Sequence, residues 1–468
     1  MSRGTELKEL LFNQKKNGWE GLSEEAQNEI LNYCNGYIGF LNKGKTEREI
    51  IKESKEIAER NGFRDINEYT VLRPGDKVYY INRDKSMYLA VIGTENIEKG
   101  MHIIGSHADS PRLDLKPNPL YEDGELAYFN THYYGGIKKY QWTTIPLSIH
   151  GVIVKANGEK ITINIGEDDT DPIFTITDLL PHLAKDQAQK KLGEAIEGEN
   201  LDLLVGSIPS LDKEEKQKVK FNILKILNEK YGITEADFLS SELELVPNFR
   251  ARSLGFDYGM VAGYGQDDKV CSYTALQALM EIEKPKKTAI CILSDKEEIG
   301  SMGNTGMESH MFDYFISELL NKTGENRVNL LDKVFCYSKM LSSDVDAGFD
   351  PLYSQVSDRY NAGFLSKGVT LNKYTGSRGK FGASDANAEF VAWVRNLFET
   401  NNIKYQITEL GKVDVGGGGT IAYILANKGV DVIDCGVPVL SMHAPYEVTS
   451  KFDIFEAYRA YKAFWESI

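Results

Sequence analysis

A short apolar run limits the fold of this chain more than any other stretch: residues 288–293 read T-A-I-C-I-L. The run is partly β-branched and short for a helix, which predicts a strand. A strand that is apolar on both faces has to be covered on both faces, as in the sheets of α/β proteins. Two adjacent carboxylates, Glu297 and Glu298, come soon after it. Ligands of α/β proteins bind where the carboxyl ends of strands open into a crevice, so this pair is a candidate site. An isolated acidic pair is more often a solvated loop, so other segments have to support this interpretation.

The length and charge of the chain narrow its class. At 468 residues it exceeds the roughly 250 to 300 residues at which a single hydrophobic core stops growing, so two domains are expected. Its net charge of −15 argues against binding to nucleic acid or to anionic membranes. No apolar stretch approaches the length of a membrane span, and the first residues lack the apolar core of a signal peptide, so we expect a cytoplasmic protein. The five cysteines are scattered without a C-x-x-C pair, which predicts neither a disulfide framework nor a thiolate zinc site.

The first part of the chain leads to a histidine and an aspartate. The pattern from Glu6 to about Asn61 is helical and contains a capping-box signature at Thr46 and Glu49. Strand-like runs follow at residues 78–81, 88–92 and 102–104. Side chains at i and i+2 of an extended segment share a face, so His107 and Asp109 can point into one site. They suit a metal ligand and the carboxylate that fixes its tautomer, although an H-x-D pair is common by chance.

The composition then changes in a way that predicts a second domain. After Pro117 prolines, glycines and strand-like runs become frequent, and residues 194–229 are charged and helix-prone. A glycine-rich segment at residues 255–265 indicates the return to the first domain. It leads to Asp267 and Asp268, which precede a predicted helix, where helix N-capping is the ordinary role of an aspartate.

Two later strand-like runs also end near possible ligands. A run at residues 334–337 is predicted to be a strand and leads to Asp344 and Asp346. Another at residues 430–435 leads to His443. Both runs thus repeat the pattern of residues 288–298, in which a predicted strand is followed by residues that can bind a metal.

Together the candidates form a set of imidazole and carboxylate groups: His107, Asp109, Asp267, Glu297, Glu298, Asp344 and His443. Such a set suits two ions of Zn²⁺, Mn²⁺ or Co²⁺ held by a bridging carboxylate. Two ions lower the pKa of a shared water, and a free carboxylate beside it can take the proton. Since adjacent side chains do not easily face the same atom, one of Glu297 and Glu298 would be a ligand and the other the general base. The H-E-x-x-H motif of single-zinc proteases and the G-x-S-x-G motif of serine hydrolases are absent from the sequence.

Five motifs in order are more specific than any one of them: G-S-H-A-D-S-P at 105–111, Q-D-D-K at 266–269, E-E-I-G-S at 297–301, S-D at 343–344 and S-M-H at 441–443. In this order the chain resembles the aspartyl aminopeptidase and vacuolar aminopeptidase I family of co-catalytic di-zinc exopeptidases. The resemblance implies a metallo-aminopeptidase that removes the amino-terminal residue of peptides, with two Zn²⁺ per subunit and Co²⁺ or Mn²⁺ as alternatives. It also implies a three-layer α/β catalytic domain with a central mixed sheet, at residues 1–118 and 251–468, and an inserted mainly-β/α dimerisation domain at residues 119–250.

The resemblance further implies a role for each candidate. The implied metal ligands are His107, Asp267, Glu298, Asp344 and His443. Asp267 would bridge the two ions, in preference to Asp268, because it holds the first position of the family's Asp pair. Asp344 is likewise preferred to Asp346. Glu297 would be the general base, and Asp109 would orient His107.

The family is also expected to form a homo-oligomer, a hollow tetrahedral dodecamer with its active sites facing an inner chamber. The segment L-P-H-L-A at residues 180–184 resembles the family stretch that lends a histidine to a neighbouring subunit. His182 would then stabilise the oxyanion of the tetrahedral intermediate, unless it is an ordinary surface or core-capping histidine.

Several alternatives remain open at this point. The alternatives to an aminopeptidase are a co-catalytic metal deacylase or amidohydrolase and a non-catalytic shell-forming scaffold. Nucleotide binding by the four glycines 416–419 lacks a supporting lysine or ribose-binding acid. A preference for acidic amino-terminal residues needs a cationic partner, for which Arg378 and Lys380 are candidates, although both are expected to be solvated surface charges.

Overall fold

The described residues form three β-sheets with helices packed against them. The structure is a computed structural model that describes residues 7–8, 11–12, 16–212, 214–325, 327 and 329–467. In chain order its strands are β1 (Arg64–Asp65), β2 (Lys77–Asn82), β3 (Ser86–Val91), β4 (Met101–His107), β5 (Arg112–Asp123), β6 (Leu126–Tyr134), β7 (Leu147–Val154), β8 (Lys160–Ile165), β9 (Leu203–Gly206), β10 (Ser241–Pro247), β11 (Arg252–Leu254), β12 (Met260–Gly263), β13 (Thr288–Ser294), β14 (Lys339–Ser342), β15 (Asp346–Ala347), β16 (Val369–Asn372), β17 (Tyr405–Thr408), β18 (Asp431–Gly436), β19 (Pro438–Leu440) and β20 (Glu447–Ser450).

The α-helices of the described residues alternate with these strands. They are α1 (Glu24–Lys43), α2 (Glu47–Arg60), α3 (Leu192–Ala195), α4 (Lys218–Tyr231), α5 (Gln266–Met280), α6 (Met311–Lys322), α7 (Leu330–Cys336), α8 (Ala388–Thr400), α9 (Ala422–Ala426) and α10 (Lys451–Glu466). Within the described ranges, every helix is too short or too polar to span a membrane.

The predicted strand at residues 288–293 is confirmed as β13, which lies inside a nine-stranded mixed sheet. The strand order of this sheet is β1-β2-β3-β13-β4-β14-β18-β16-β17. Strands β13, β4, β14 and β18 are parallel to one another, whereas β3 and β16 are antiparallel to their neighbours β13 and β18. The carboxyl ends of four neighbouring strands therefore meet at one edge of the sheet.

Apolar residues on both faces of β13 explain why helices cover both faces of the sheet. Ala289, Cys291 and Leu293 join the core on one face, and Ile290 and Ile292 join the core on the other. Helices α1, α2, α5, α8 and α10 pack into the first core, and α6, α7 and α9 pack into the second. Because strand side chains alternate between faces, each core takes every second residue. The predicted three-layer α/β arrangement is confirmed.

A continuous stretch of chain forms a second sheet with its own core. The order of this six-stranded sheet is β8-β7-β10-β5-β6-β9, and its strands run from Arg112 to Pro247. Trp142 and Leu245 are fully buried in its core, against which α4 packs through Val219. A third, smaller sheet has the order β11-β12-β20-β19-β15. Most of the second sheet lies within residues 119–250, the region expected to be inserted, but β5 begins before that region at Arg112. The domain boundaries themselves stay a prediction.

Most local predictions hold, and two need correction. The capping box at Thr46 and Glu49 is present at the start of α2, whereas Glu6 lies outside the described residues. The predicted strand at residues 334–337 is wrong, because most of it belongs to helix α7, which buries Leu330, Val334 and Phe335 at helical spacing. The strand of this region is β14, which follows the helix.

The helix-prone segment at residues 194–229 is only partly helical. Strand β9 lies inside it, and the main helix of this region, α4, begins at Lys218. The charged residues of the segment do suit a helix. Pairing of β9 with β6, however, takes an apolar part of the segment, Leu203 and Leu204, into the sheet. Here tertiary pairing overrides local helix preference.

Candidate metal centre

Neighbouring parallel strands bring the strand-end candidates together. His107 is the last residue of β4, and Asp344 lies just past β14. Glu297 and Glu298 follow β13 in a short 3-10 helix, Glu297–Ile299. Since β4 is paired in parallel with both β13 and β14, these three strand ends open at the same edge of the sheet. That edge is where α/β proteins bind ligands.

Asp267 joins two histidines that come from opposite ends of the sequence. It lies in the first turn of α5, and His443 follows β19. One carboxylate oxygen, Oδ1, is 3.2 Å from Nε2 of His107. The other, Oδ2, is 3.2 Å from Nε2 of His443. A carboxylate whose two oxygens face two different imidazoles is the arrangement expected of a group that bridges two metal ions.

Of the three remaining acids, two lie near His107 and one lies near His443. Asp344 Oδ1 and Glu297 Oε2 lie 3.7 Å and 3.9 Å from Nε2 of His107. Glu298 Oε2 lies 3.5 Å from Nε2 of His443. One ligand atom from each of His107, Glu297 and Asp344 lies within 4.8 Å of the others, and the same holds for His107, Asp267 and Glu298. We call the six residues the cleft cluster: His107, Asp267, Glu297, Glu298, Asp344 and His443.

Asp109 holds one side of the cleft cluster in place. Its Oδ1 accepts a hydrogen bond from the backbone nitrogen of Glu297 at 3.2 Å, and its Oδ2 accepts one from that of Glu298 at 3.2 Å. Oδ1 also lies 3.3 Å from Nδ1 of His107. Nδ1 of His107 donates to the backbone carbonyl of Asp109 at 3.0 Å. In the neutral ring the lone pair is therefore on Nε2, which faces Asp267 and Asp344.

The acids of the cleft cluster are hard to ionise together. Burial and the nearby Asp344 raise the pKa of Glu297 to about 8. Burial also raises the pKa of Glu298 and Asp344, and Asp267 adds to the effect on Glu298. Burial is the largest cause of each shift, and like charges close together in a poorly solvated site disfavour the ionised form further.

The two histidines respond in the opposite sense. Burial acts to lower the pKa of His107, but its hydrogen bonds to Asp109, Asp267 and Asp344 carry it well above its ordinary value. Against the same effect of burial, Asp267 and Glu298 raise the pKa of His443 to about 10. His107 is 2% exposed and His443 is 34% exposed, so the two histidines mark a buried side and an open side of the cluster.

The residues of the cleft cluster fit zinc. Imidazole nitrogen and carboxylate oxygen are ligands that Zn²⁺ accepts. The buried Oε1 atom of Glu298 has no hydrogen-bond partner within the described part of the chain, which is costly for a carboxylate unless a cation is bound. Four mutually close carboxylates against two imidazoles leave an excess of negative charge that divalent cations would neutralise.

All residues of the cleft cluster except His107 line a cavity of about 490 Å³. The other lining residues include Asn372, Leu410, Tyr423 and Asp434, together with glycines 417–419. Three glycines of the four-glycine run 416–419 therefore line this cavity. Among the described residues that line the cavity, five are acidic and none is lysine or arginine.

Other candidate residues lie elsewhere on the surface. His182 is exposed in a short 3-10 helix, Pro181–Leu183, before α3, and it is not part of the cleft cluster described here. Arg378 and Lys380 are exposed, and Lys380 lies 3.1 Å from Asp385. Asp346 is buried and accepts a hydrogen bond from Thr408 at 2.7 Å.

Sequence reasoning missed two polar residues, one that contacts Asp109 and one that contacts the cleft cluster. Tyr134, at the end of β6, donates a hydrogen bond from its hydroxyl to Oδ2 of Asp109 at 2.8 Å. Glu447 accepts hydrogen bonds from the backbone nitrogens of His443 at 2.8 Å and Asp267 at 3.2 Å. Glu447 stands close to His443 in the sequence, which is a usable signal. Tyr134 lies in the segment expected to be inserted, and no motif marks it.

Comparisons with known proteins agree with this geometry. A sequence profile described as aminopeptidase I zinc metalloprotease (M18) matches residues 40–465. The chain is 51% identical over 458 residues to the probable M18 family aminopeptidase 1 of Clostridium acetobutylicum, which covers 97% of this chain and 98% of that relative. The crystal structure of an M18 family aminopeptidase from Thermotoga maritima matches with a TM-score of 0.94 and 46% identity, over 98% of this chain and 100% of that one.

A more distant match is the structure of the mApe1 dodecamer of S. cerevisiae, with a TM-score of 0.75 and 21% identity over 94% of this chain and 97% of that one. At this identity the likeness shows the fold alone. The closer matches support the predicted aminopeptidase rather than a deacylase or a non-catalytic scaffold. The chain therefore belongs to the M18 family and is a zinc aminopeptidase, a hydrolase that acts on peptide bonds.

Proposed function

We propose that the cleft cluster binds two zinc ions and releases one residue at a time from the free amino terminus of peptides, with Glu297 as the general base. The observation that carries this proposal is the carboxylate of Asp267, whose two oxygens face two different histidines at 3.2 Å each. One half-site would contain His107, Asp344 and Oδ1 of Asp267. The other would contain His443, Glu298 and Oδ2 of Asp267.

Zinc bound in these half-sites would polarise the scissile carbonyl group and lower the pKa of a nearby water. The chain itself contributes the placement of its ligands. Asp109 fixes the ring of His107 and the backbone of both glutamates, which leaves Nε2 of His107 free to ligate. Co²⁺ and Mn²⁺ accept the same nitrogen and oxygen ligands, so we expect either ion to support some activity.

Glu297 and Glu298 would have different roles because they face different histidines. Glu298 is closer to His443 and completes its half-site. Glu297, more weakly placed at 3.9 Å from His107, is available to accept a proton from water as the water oxygen bonds to the carbonyl carbon. It then returns that proton to the leaving nitrogen as the C–N bond breaks.

The charge of the cavity favours the amino end of a peptide over its carboxyl end. Five acids line the cavity, and its described lining contains no lysine or arginine to pair with a carboxylate. A protonated amino terminus would be attracted to this lining, whereas a free carboxyl terminus would be repelled. This is a physical reason for aminopeptidase rather than carboxypeptidase activity.

We also propose that His182 acts in the active site of a neighbouring subunit, where its ring would donate a hydrogen bond to the oxyanion. Exposed apolar side chains surround it: Leu179, Leu180 and Leu183 are 46%, 48% and 67% exposed. Such a patch suits burial against a second copy of the chain. The dodecamer of the S. cerevisiae neighbour supports a homo-oligomer, and we propose that this chain forms a dodecamer with tetrahedral symmetry.

We further propose a cytoplasmic location. All five cysteines are free, and four of them are buried. Free cysteines are typical of proteins in reducing compartments. Localisation of a tagged protein by cell fractionation would test this part of the proposal, and recovery in a secreted fraction would contradict it.

Initial rates on a panel of aminoacyl p-nitroanilides would test the catalytic proposal, using chelator-stripped protein with zinc, cobalt or manganese restored. We expect metal-dependent release that falls by about 10²- to 10⁴-fold in Glu297→Gln, the range that general-base catalysis contributes. Zinc content should remain two per subunit in this variant. Glu29→Gln, at an exposed position of α1, is the matched control and should retain full activity.

Amino-terminally acetylated substrates distinguish the remaining alternatives. An aminopeptidase should release nothing from them, whereas a deacylase would release acetate. Equal activity of Glu297→Gln and the unaltered protein would contradict the role of Glu297. A molar mass of one subunit in solution, measured by light scattering, would contradict the proposed oligomer and the role of His182.

A further inference from the structure

The end of β6 reaches from the six-stranded sheet to both half-sites of the cleft cluster. We call residues 134–136, Tyr134, Gly135 and Gly136, the β6 tip. Tyr134 is the last residue of β6 and pairs with Arg112 of β5. Both tyrosine and arginine are almost fully buried, at 8% and 5% exposure. The β6 tip thus starts from a rigid strand before it contacts the metal centre.

On the buried side, the β6 tip acts through Asp109. The hydroxyl of Tyr134 donates to Oδ2 of Asp109 at 2.8 Å, and the same carboxylate accepts the backbone nitrogens of Glu297 and Glu298. The guanidinium group of Arg112 lies 3.9 Å from the centre of the Tyr134 ring. Stacking of the cation on the ring restricts the tyrosine to one orientation.

On the open side, the β6 tip contacts His443 directly. The carbonyl oxygen of Gly136 is 2.8 Å from Nδ1 of His443. A carbonyl oxygen only accepts, so Nδ1 carries the proton and the lone pair of the neutral ring is on Nε2. Nε2 is the atom that faces Asp267 and Glu298. The backbone of Gly136 therefore selects the tautomer that a metal ligand needs.

The two glycines leave room for this approach. A Cβ atom on Gly136 would lie 3.3 Å from Nδ1 of His443, which is too close for the ring to keep its position. Gly135 has a φ of +74°, which L side chains rarely adopt. A Cβ atom there would lie 3.3 Å from Cβ of Glu298. Glycine at both positions allows the backbone to reach the metal ligands.

We infer that the β6 tip is a positioning element for both half-sites: Tyr134 holds Asp109, and the Gly136 carbonyl holds His443 in its ligating tautomer. This inference rests on the proposed zinc-binding role of the cleft cluster. Tyr134 is a positioning residue, since it touches neither a metal ligand nor the substrate directly. The second sheet thereby contributes to the geometry of a site whose ligands all come from outside it.

Zinc affinity tests the inference without relying on activity. Tyr134→Phe removes the hydroxyl and keeps the ring beneath Arg112. Titration of the metal-free protein with zinc against a colorimetric chelator should show a loss of about 10- to 100-fold in affinity at one half-site, the usual cost of losing a partner of a metal ligand. We expect kcat to fall by a similar factor, about 10- to 100-fold, with KM changed less than about twofold.

Gly136→Ala tests the open side independently. It should weaken zinc binding at the half-site of His443 and leave the other half-site at its original affinity. Two controls match these variants. Tyr133→Phe changes the preceding, 45% exposed tyrosine of the same strand, and Gly193→Ala adds a Cβ that meets no atom within 4 Å. Both controls should bind zinc as the unaltered protein does.

The outcomes separate this inference from the proposed function. If the unaltered protein binds no zinc at the cleft cluster, the proposed function fails. If it binds two zinc ions and Tyr134→Phe and Gly136→Ala bind them equally well, only the inference fails. Should Tyr134→Phe not fold, as judged by circular dichroism, Gly136→Ala alone decides, and unchanged zinc affinity in that variant overturns the positioning role.

Discussion

Two groups of buried acids in this protein are balanced in opposite ways. The cleft cluster gathers four carboxylates and two histidines. Between α2 and the six-stranded sheet lies a second group, the junction cluster, which contains acids together with permanent cations: Lys45, Glu47, Glu49, Lys85, Arg112, Asp114, His150, Glu167 and Glu244. In the junction cluster Arg112 lies 3.3 Å from Glu47 and 3.2 Å from Glu244, and Lys85 lies 3.3 Å from Glu47.

The pKa values of two acids illustrate the difference, although burial raises the pKa of Glu244 and of Asp114 within the junction cluster as well. Burial acts to raise the pKa of Glu47, but Arg112 and Lys85 lower it to about 2. In the cleft cluster, burial and Asp344 raise the pKa of Glu297 to about 8. The junction cluster supplies most of its own countercharge, whereas the cleft cluster depends on charge from outside the chain. The missing lysine and arginine are what make the cleft cluster, rather than the junction cluster, the candidate metal site.

The largest expected effect is a loss of activity on substitution of an acid in the cleft cluster. Glu298→Gln should reduce kcat/KM by at least about 10³-fold, because a half-site loses a ligand and the metal contributes several kcal/mol to transition-state stabilisation. The metal-free protein should be at least as stable as before, since Oε1 of Glu298 is buried without a hydrogen-bond partner. Initial rates with zinc restored measure the change in kcat/KM. Urea unfolding of the metal-free protein measures the change in stability. A large loss of stability in the metal-free variant would contradict the comparison.

The next largest effect is a loss of stability on removal of a cation from the junction cluster. Arg112→Met should lower the free energy of unfolding by about 3–5 kcal/mol, because it leaves buried carboxylates without their cation. Urea unfolding followed by circular dichroism measures this change. Arg60→Met, at the exposed end of α2, is the control and should cost less than about 0.5 kcal/mol. Equal stability of the two variants would show that the buried pairs of Arg112 do not hold the sheets together.

The acidic lining of the cavity predicts a substrate preference. Leucine p-nitroanilide should be cleaved at least about tenfold faster than aspartate p-nitroanilide, because the described lining has no lysine or arginine to pair with the carboxylate of aspartate, which loses hydration on binding. Asp434, which is 4% exposed and lines the cavity, should contribute to this selectivity. In Asp434→Asn the ratio of the two kcat/KM values should move toward the acidic substrate. Faster cleavage of aspartate would mean that a cation from outside this lining reaches the substrate.

The smallest effect concerns a histidine of the junction cluster. Burial lowers the pKa of His150, but Glu167 and Glu49, at 3.1 Å and 2.8 Å, outweigh it and raise the pKa above its ordinary value. A raised folded-state pKa gives stabilisation that is fully present below the unfolded pKa of about 6.5 and is lost as pH rises through the folded value.

His150→Gln should therefore cost about 1 kcal/mol of unfolding free energy at pH 6 and less at pH 9. Urea unfolding at the two pH values measures the difference. His132→Gln, at an exposed position of β6, serves as the control for loss of an imidazole and should cost less than about 0.5 kcal/mol. A cost for His150→Gln that grows with pH would have the wrong sign and would contradict the pairing.

The sequence was most informative where a buried strand ends beside a ligand. The apolar run of β13 predicted both the sheet and the place of Glu297 and Glu298, because the length and the apolar character of a strand can be read from a short segment of sequence. The motifs around His107, Asp344 and His443 identified side chains that the fold brings together. The predicted strand at residues 334–337 failed because four apolar residues suit a strand as well as the buried face of a helix.

The sequence did not predict side-chain contacts between segments that are far apart in the chain. Tyr134 contacts Asp109 only because β6 pairs with β5, and that register cannot be read from the tyrosine itself. His443 is held by the backbone carbonyl of Gly136 in the β6 tip, and a backbone carbonyl leaves no trace in the identity of a side chain. Sequence reasoning therefore located the residues of the cleft cluster better than the groups that hold them.

The order of strands in the nine-stranded sheet has a consequence for synthesis on the ribosome. Strand β4, which ends at His107, is hydrogen-bonded on its two edges to β13 and β14, which are translated only after the whole six-stranded sheet has emerged. Long-range pairing of this kind forms late in folding. The nascent chain consequently carries no assembled hydrolytic site while most of it is being made. Peptide-cleaving activity is thus delayed by topology alone until translation has passed His443.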